Sequence, residues 1–235
     1  PVGAAEAGVI VAVTGGKGGV GKSTVAYNLG AALGAVVVDA DLGMADLPSS
    51  HGPDLHDVLA GRADPVEAVR PVPSATGDSH VRLLPCGRSL AGARAADVTR
   101  LAEVVRQVDR EFGDVVVDCP AGLRADAGVP LAVADCAVLV TSPRPFALAD
   151  AVRTRALARE LDAPLVGAVV NRVVEEPPVE QIAETLGAAV TTIPADPRVG
   201  ESVSEKRPVV DVAVGSRAAT GISDLAAAVQ SCKSV

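Results

Sequence analysis

Residues 15–24, Gly-Gly-Lys-Gly-Gly-Val-Gly-Lys-Ser-Thr, directly follow the apolar run Val9 to Val13 and constrain this chain more than any other segment. Gly16, Gly21, Lys22 and Ser23 satisfy G-x-x-x-x-G-K-[ST], with small residues that let consecutive backbone N–H groups curl around phosphate oxygens. Lys22 is expected to reach the β- and γ-phosphates of a nucleoside triphosphate, and Thr24 to hold the α-phosphate. The Ser23 hydroxyl suits Mg²⁺, which takes hard oxygen ligands. A β-rich run before the loop and a helical pattern through Val25, Leu29 and Leu33 after it bring a helix N-terminus to the anion. Lys17 stands outside this logic. A simple phosphate loop demands no cation there, yet the chain has lysine only at Lys17, Lys22, Lys206 and Lys233, so half of its lysines lie in this loop.

The 235 residues are 49% hydrophobic but 1% aromatic, so a core must be built from Val, Ala, Leu and Ile. That suits parallel strands buried on both faces, and Val36-Val37-Val38 and Val115-Val116-Val117 read as such strands. Length and composition fit one large α/β domain over residues 1–235, with no second domain. A net charge of −8 opposes broad, sequence-independent nucleic-acid binding, which needs a basic face. The acidic, lysine-poor composition fits GC-rich coding and high-salt adaptation equally. Cys86, Cys119, Cys136 and Cys232 have no metal or redox spacing and read as buried thiols. With no leader pattern and no apolar stretch of roughly 18 residues, a cytoplasmic protein is expected.

Strands are expected at Val9 to Thr14, Ala35 to Asp39, Val81 to Leu84, Val115 to Asp118, Ala137 to Thr141, Leu165 to Asn171 and Ala189 to Ile193. Helical stripes fall between most of them, among them Leu101, Val104, Val105 and Val108 after Asp97 as N-cap, and Val152, Leu157 and Leu161. Pro71 to Asp78 reads as a surface loop. The fold class is α/β, a mostly parallel twisted sheet with helices on both faces, whose ligands bind beyond the carboxyl ends of the strands. Three strand ends qualify. Asp39 and Asp41 present two carboxylates on the same side of the backbone, either for Mg²⁺ and water or as a turn with a helix cap. Asp118, before Cys119-Pro120-Ala121-Gly122, matches the acidic strand end that holds Mg²⁺ through water in phosphate-loop proteins. Asn171-Arg172 offers either a turn or an amide matching the adenine edge with a stacking guanidinium.

Lys17-Gly18-Gly19-Val20-Gly21-Lys22-Ser23 resembles the deviant phosphate loop of the MinD/ParA ATPases, and Asp118 to Leu123 resembles the MinD branch, particularly its archaeal members. Asp41-Leu42-Gly43-Met44-Ala45, Leu55 to Gly61, Asn171-Arg172 and Ile193-Pro194-Ala195-Asp196-Pro197 fall in the order of that family, so the likeness spans nearly the whole chain. The resemblance implies ATP and Mg²⁺ as ligands, slow ATP hydrolysis, and an ATP-dependent homodimer in which Lys17 crosses to the other subunit's phosphates. It implies that Asp41 orients the attacking water and that Asp39 and Asp118 join Ser23 in supporting Mg²⁺. Asn171, Arg172, Pro194 and Asp196 would surround the adenine, and Asp41 to Leu47 and Asp118 to Arg124 would be the switch segments. An unidentified protein partner or cargo is implied, in cell division or spatial organisation. Membrane-cycling relatives carry a basic amphipathic C-terminal helix. Here Ile222, Leu225 and Val229 form only a modest stripe and Lys233 is the sole cation after Arg217, so the stripe is expected to pack on the sheet, leaving transient membrane association open. A metal-cluster carrier of the same fold and a nucleotide-binding scaffold without turnover are the alternative functions, and Cys119 is the one arguable cluster ligand.

Overall fold

Strand after strand, the β-branched runs alternate between two helical layers, as a period of two residues requires. The structure, a computed structural model, describes residues 8–43, 46–48, 51–72, 81–122 and 125–232. Its strands are β1 (Ile10–Thr14), β2 (Val36–Asp39), β3 (Arg70–Pro71), β4 (Arg82–Leu84), β5 (Val115–Asp118), β6 (Cys136–Thr141), β7 (Leu165–Val173) and β8 (Val190–Pro194). The helices are α1 (Lys22–Leu33), α2 (Leu55–Leu59), α3 (Pro65–Ala68), α4 (Leu90–Ala95), α5 (Leu101–Phe112), α6 (Ala125–Val133), α7 (Pro145–Glu160), α8 (Val179–Leu186), α9 (Pro197–Ser204), α10 (Val209–Val212) and α11 (Arg217–Ser231).

The sheet runs β3-β4-β2-β5-β1-β6-β7-β8, and every pairing is parallel except that of edge strand β3 with β4. The expected mostly parallel sheet is therefore present. Val11, Val13, Val37, Val116, Val138 and Val169 point to the layer containing α1 and α11. Ile10, Val36, Val38, Val115 and Val117 point to the opposite layer with α2 and α5. Burying each such side chain contributes about 1.5–3 kcal/mol, so a core almost without aromatics is sustained by number rather than by size. Central β1 delivers its loop between β5 and β6, beyond the carboxyl ends of the strands, where open α/β sheets bind ligands.

Some local expectations shift. Asp97 caps the 3₁₀ turn Val98–Arg100, which runs straight into α5. Pro71 is a strand residue rather than loop, because its partner Arg82 extends the sheet edge, and residues 73–80 lie outside the described residues. Val152 is 38% exposed, so the α7 stripe is only partly internal. The C-terminal expectation holds: Ile222, Leu225 and Val229 are buried in α11 against the sheet and α1. Lys233 lies outside the described residues.

One buried polar side chain ties the helix behind the phosphate loop to the wall opposite it. Asn28 Nδ2 donates to the Thr24 carbonyl and to Ser202 Oγ, both at 2.8 Å, while its Oδ1 accepts the Val209 N–H at 2.6 Å. Asn28→Ala is expected to lower the unfolding free energy by about 2–4 kcal/mol, since it leaves the buried Val209 N–H without an acceptor. A urea melt checks this, and an unchanged midpoint would show that the three bonds add nothing to stability.

Candidate nucleotide-binding site

The loop leaves β1 at Thr14 and enters α1 through Gly21, whose φ of 97° is left-handed and leaves no place for a Cβ. Lys22 is the first residue of α1 and is buried, its stem running along Gly15, whereas Lys17, Gly18 and Gly19 are exposed. Gly16 packs against the Asp150 backbone of α7, so a side chain there would push the loop off that helix. Gly19, Gly21, Lys22, Ser23 and Thr24 line a cleft of about 590 Å³. Gly200, Val203, Ser204 and Lys206 form its far wall, and Asp46, Leu47, Pro48, Arg88 and Arg172 complete it. Lys17 is not on that wall. With Gly18, Gly19 and Val20 it lines a neighbouring cleft of about 510 Å³, beside Ser142, Arg144, Phe146, Arg172 and Val174.

Beneath the loop, Asp39 and Asp118 stand opposite each other in the parallel register of β2 and β5. Both are buried, and Asp39 Oδ2 and both Asp118 oxygens have no hydrogen-bond partner of good geometry. Burial pushes the Asp118 carboxyl up to about 7; the Ser23 hydroxyl and the Lys22 ammonium nearby oppose the shift, and Asp41 and Asp46 add to it. Asp39 is raised well above the usual carboxylate range, first by burial and then by Asp118. Asp39 Oδ1 accepts the Asp41 N–H at 3.4 Å, placing Asp41 half-exposed just beyond β2. Uncompensated buried carboxylate oxygens at a strand end, next to the Ser23 hydroxyl and the phosphate loop, fit the hard-oxygen demand of Mg²⁺.

Asn171 lies behind the loop rather than in the cleft. Its Nδ2 donates to the Val20 carbonyl at 2.9 Å and its Oδ1 accepts the Arg172 N–H at 2.9 Å, so both ends of the amide are engaged and the residue is 3% exposed. In this state it braces the phosphate loop, with one amide hydrogen and one oxygen lone pair committed to the chain itself. Arg172 has a left-handed φ of 59° at an irregularity between β7 and β8, which turns it outward between the two clefts. Pro194 and Asp196 sit outside the cleft wall, because Pro194 is held in β8 and the Asp196 carboxylate caps α9 and pairs with Arg198 at 2.7 Å. The cleft wall on that side is formed one and two turns further on, by Gly200, Val203 and Ser204. Arg88 and Lys206 were missed. Arg88 follows the carboxyl end of β4, where ligand contacts collect, and Lys206 was marked only by the scarcity of lysine.

The family profile described as ParA, NUBPL iron-transfer P-loop NTPase, matches residues 6–230. The chain belongs to the ParA family of P-loop NTPases. This ParA-family chain is 32% identical to an ATP-binding protein of Methanocaldococcus jannaschii described as uncharacterised, over 93% of this chain and 86% of that one. Its fold is similar to that of the cell division ATPase MinD of Pyrococcus furiosus, with TM-score 0.85, 32% identity, and coverage of 95% of this chain and 99% of that chain. The septum site-determining protein MinD of Pyrococcus horikoshii, solved with Mg-ADP, matches with TM-score 0.82 at 30% identity over 93% of this chain and 94% of that chain. The deviant phosphate loop, the two acidic strand ends and the eight-stranded sheet of the ParA-family fold are thus all present in one chain. Among the described residues no helix is long and apolar enough to cross a membrane.

Proposed function

We propose that the protein is an ATP-hydrolysing switch, MinD-like, that dimerises when it binds ATP and positions other cellular components from the cytoplasm. The observation that carries this reading is the separation of the two lysines. Lys22 lines the nucleotide cleft, while Lys17, on the same loop, is exposed and lines a different one beside Phe146 and Val174, which are 77% and 85% exposed. A cation turned away from its own subunit's cleft suits service to a second subunit's nucleotide.

In this mechanism the loop N–H groups and Lys22 hold the triphosphate. Ser23, Asp39 and Asp118 would hold Mg²⁺, which would supply positive charge to the phosphate oxygens. Asp41 orients a water in line with the γ-phosphorus. The water oxygen bonds to that phosphorus as the bond to the bridging oxygen of ADP breaks, and inorganic phosphate leaves as dihydrogen phosphate carrying both of the water's protons. Lys17 from the facing subunit neutralises charge on the transferring group, so turnover requires the dimer and loss of the γ-phosphate releases it.

Light scattering with Mg-ATP tests the reading. Asp41→Ala is expected to bind ATP and accumulate as a dimer, whereas Lys17→Ala is expected to bind nucleotide as a monomer and to lose at least about tenfold in phosphate release. Only monomer from Asp41→Ala, or wild-type turnover from Lys17→Ala, would sink it. The family's description also points to iron transfer, which makes a cluster carrier the second reading. A cluster shared by two subunits needs accessible thiols; Cys119 is wholly buried with its thiol donating to the Val117 carbonyl, and burial pushes that thiol up, whereas Cys232, expected to be buried, is exposed at the end of α11. Stoichiometric iron in anaerobically purified protein would favour this second reading. ATP binding without any phosphate release would favour a scaffold.

A further inference from the structure

His56 has no part in the mechanism above, yet it is 2% exposed and its ring reaches the backbone just after Asp41. It lies in α2, whose start is fixed by a capping box between Asp54 and Asp57. Its Nε2 is 3.2 Å from the Leu42 carbonyl oxygen and 3.5 Å from Cys86 Sγ. A carbonyl can only accept, so the bond to Leu42 puts the proton on Nε2. The Cys86 thiol is itself within 3.5 Å of the Gly87 carbonyl. Burial raises the pKa of that thiol, and the negative charges of Asp39, Asp54 and Asp41 add to the shift.

The pocket for the ring is made by absence of side chains. A Cβ on Gly87 would collide with Nδ1, and one on Gly92 would come within 3.0 Å of it. Nδ1 is buried and unpartnered. An aliphatic side chain would fill the same place without leaving a polar atom unsatisfied, so packing alone does not account for a histidine.

What the ring touches is more informative. Leu42 follows Asp41, and the segment between them is held at one end by Asp39 Oδ1 on the Asp41 N–H and at the other by His56 on the Leu42 carbonyl. On its other side the ring packs on Gly87, and the next residue, Arg88, is on the nucleotide cleft wall. We propose that His56 is a positioning residue of the ATPase centre: through Nε2–H it fixes the backbone that carries Asp41 and locks that segment to the loop that carries Arg88. The segment that carries Asp41 and the cleft wall at Arg88 then shift together when the phosphate chain changes. The inference rests on the ATPase reading above.

Gln, Asn and Leu at this position separate the possibilities. The Gln amide reaches about as far as Nε2, the Asn amide only as far as Nδ1, and Leu donates nothing. Phosphate release and the affinity for a fluorescent ATP analogue with Mg²⁺ would be measured on the full chain, with melting temperatures alongside. His56→Leu and His56→Asn are expected to lower kcat by about tenfold or more, as a displaced catalytic group does, while KM and analogue affinity stay within about threefold. His56→Gln is expected to restore kcat to within about threefold of wild type. Wild-type kcat in His56→Leu or His56→Asn, or a His56→Gln protein as impaired as His56→Leu, would overturn the proposal. Should the Leu variant fail to fold, the comparison of Gln with Asn decides alone. Absence of phosphate release from the wild-type chain sinks the ATPase reading and this one together, whereas normal wild-type turnover with indifferent variants sinks only the role of His56.

Discussion

Asp118→Asn is expected to stabilise the nucleotide-free protein by about 2–4 kcal/mol above pH 7, from a carboxyl shift of about three pH units at 1.36 kcal/mol each, and to abolish Mg-dependent turnover. The side chain is wholly buried, with neither oxygen hydrogen-bonded in good geometry, and burial raises its pKa to about 7 from 3.8. The sign follows from proton binding. Between about pH 4 and pH 7 the unfolded chain has released this proton while the folded chain still holds it, so the contribution of Asp118 to stability falls as pH rises through that window and changes no further beyond it. The Asn variant has no such loss, and its amide faces the unpartnered Asp39 Oδ2 across the β2–β5 register. Urea melts at pH 4 and pH 8, without nucleotide or Mg²⁺, read the effect: the variant should gain on wild type only at the higher pH. A variant that is less stable at pH 8 would mean that the buried carboxylate is already satisfied. In the proposed mechanism the same charge serves Mg²⁺, so stabilisation and loss of turnover should appear together, as expected where a site is kept at a cost to the fold.

Gly21→Ala is expected to weaken Mg-ATP binding by about 100-fold, through loss of loop geometry worth roughly 2–3 kcal/mol. Two constraints meet at this residue. Its φ of 97° excludes an L side chain, and an added Cβ would run into Asn171 Nδ2, the group that holds the Val20 carbonyl. Relief of either one leaves the other. Asn171→Ala alone removes the brace and is expected to cost about 1–2 kcal/mol of stability. In the double variant the collision disappears but the left-handed strain stays, so the two changes should be less than additive by about 1 kcal/mol. Isothermal titration with Mg-ATP and a thermal melt on the four proteins close the cycle. Strict additivity would show that Asn171 and Gly21 do not meet in the loop's working state.

The places where sequence reading succeeded share a physical cause. Val9 to Val13, Val36 to Val38 and Val115 to Val117 have few alternatives to buried parallel strands, and the glycine-lysine spacing of the loop is set by the size of a phosphate group. Asp39 and Asp118 were recognisable as strand-end carboxylates because each closes an apolar run, and the structure sets them opposite each other at the ends of β2 and β5. Asn171 shows the opposite. As a residue ending a strand it was open to a turn or a base contact, and only the approach of β7 to the loop reveals an amide bonded to Val20 and to its own neighbour. Pro194 and Asp196 lie outside the cleft lining, and local order says nothing about which residues of α9 face the cleft.

By itself, then, the order of amino acids determined the strands, the phosphate loop and the acidic groups beneath it, since period-two apolar runs, glycine spacing and the cost of buried charge are local properties. The tertiary structure decided which side chains share a surface. It sent Lys22 and Lys17 into different clefts, brought Arg88 and Lys206 to the nucleotide wall, set Asp39 opposite Asp118, and closed His56 onto the Leu42 carbonyl. Such meetings depend on strand order and helix packing over separations of many residues, and no pattern along the chain encodes them.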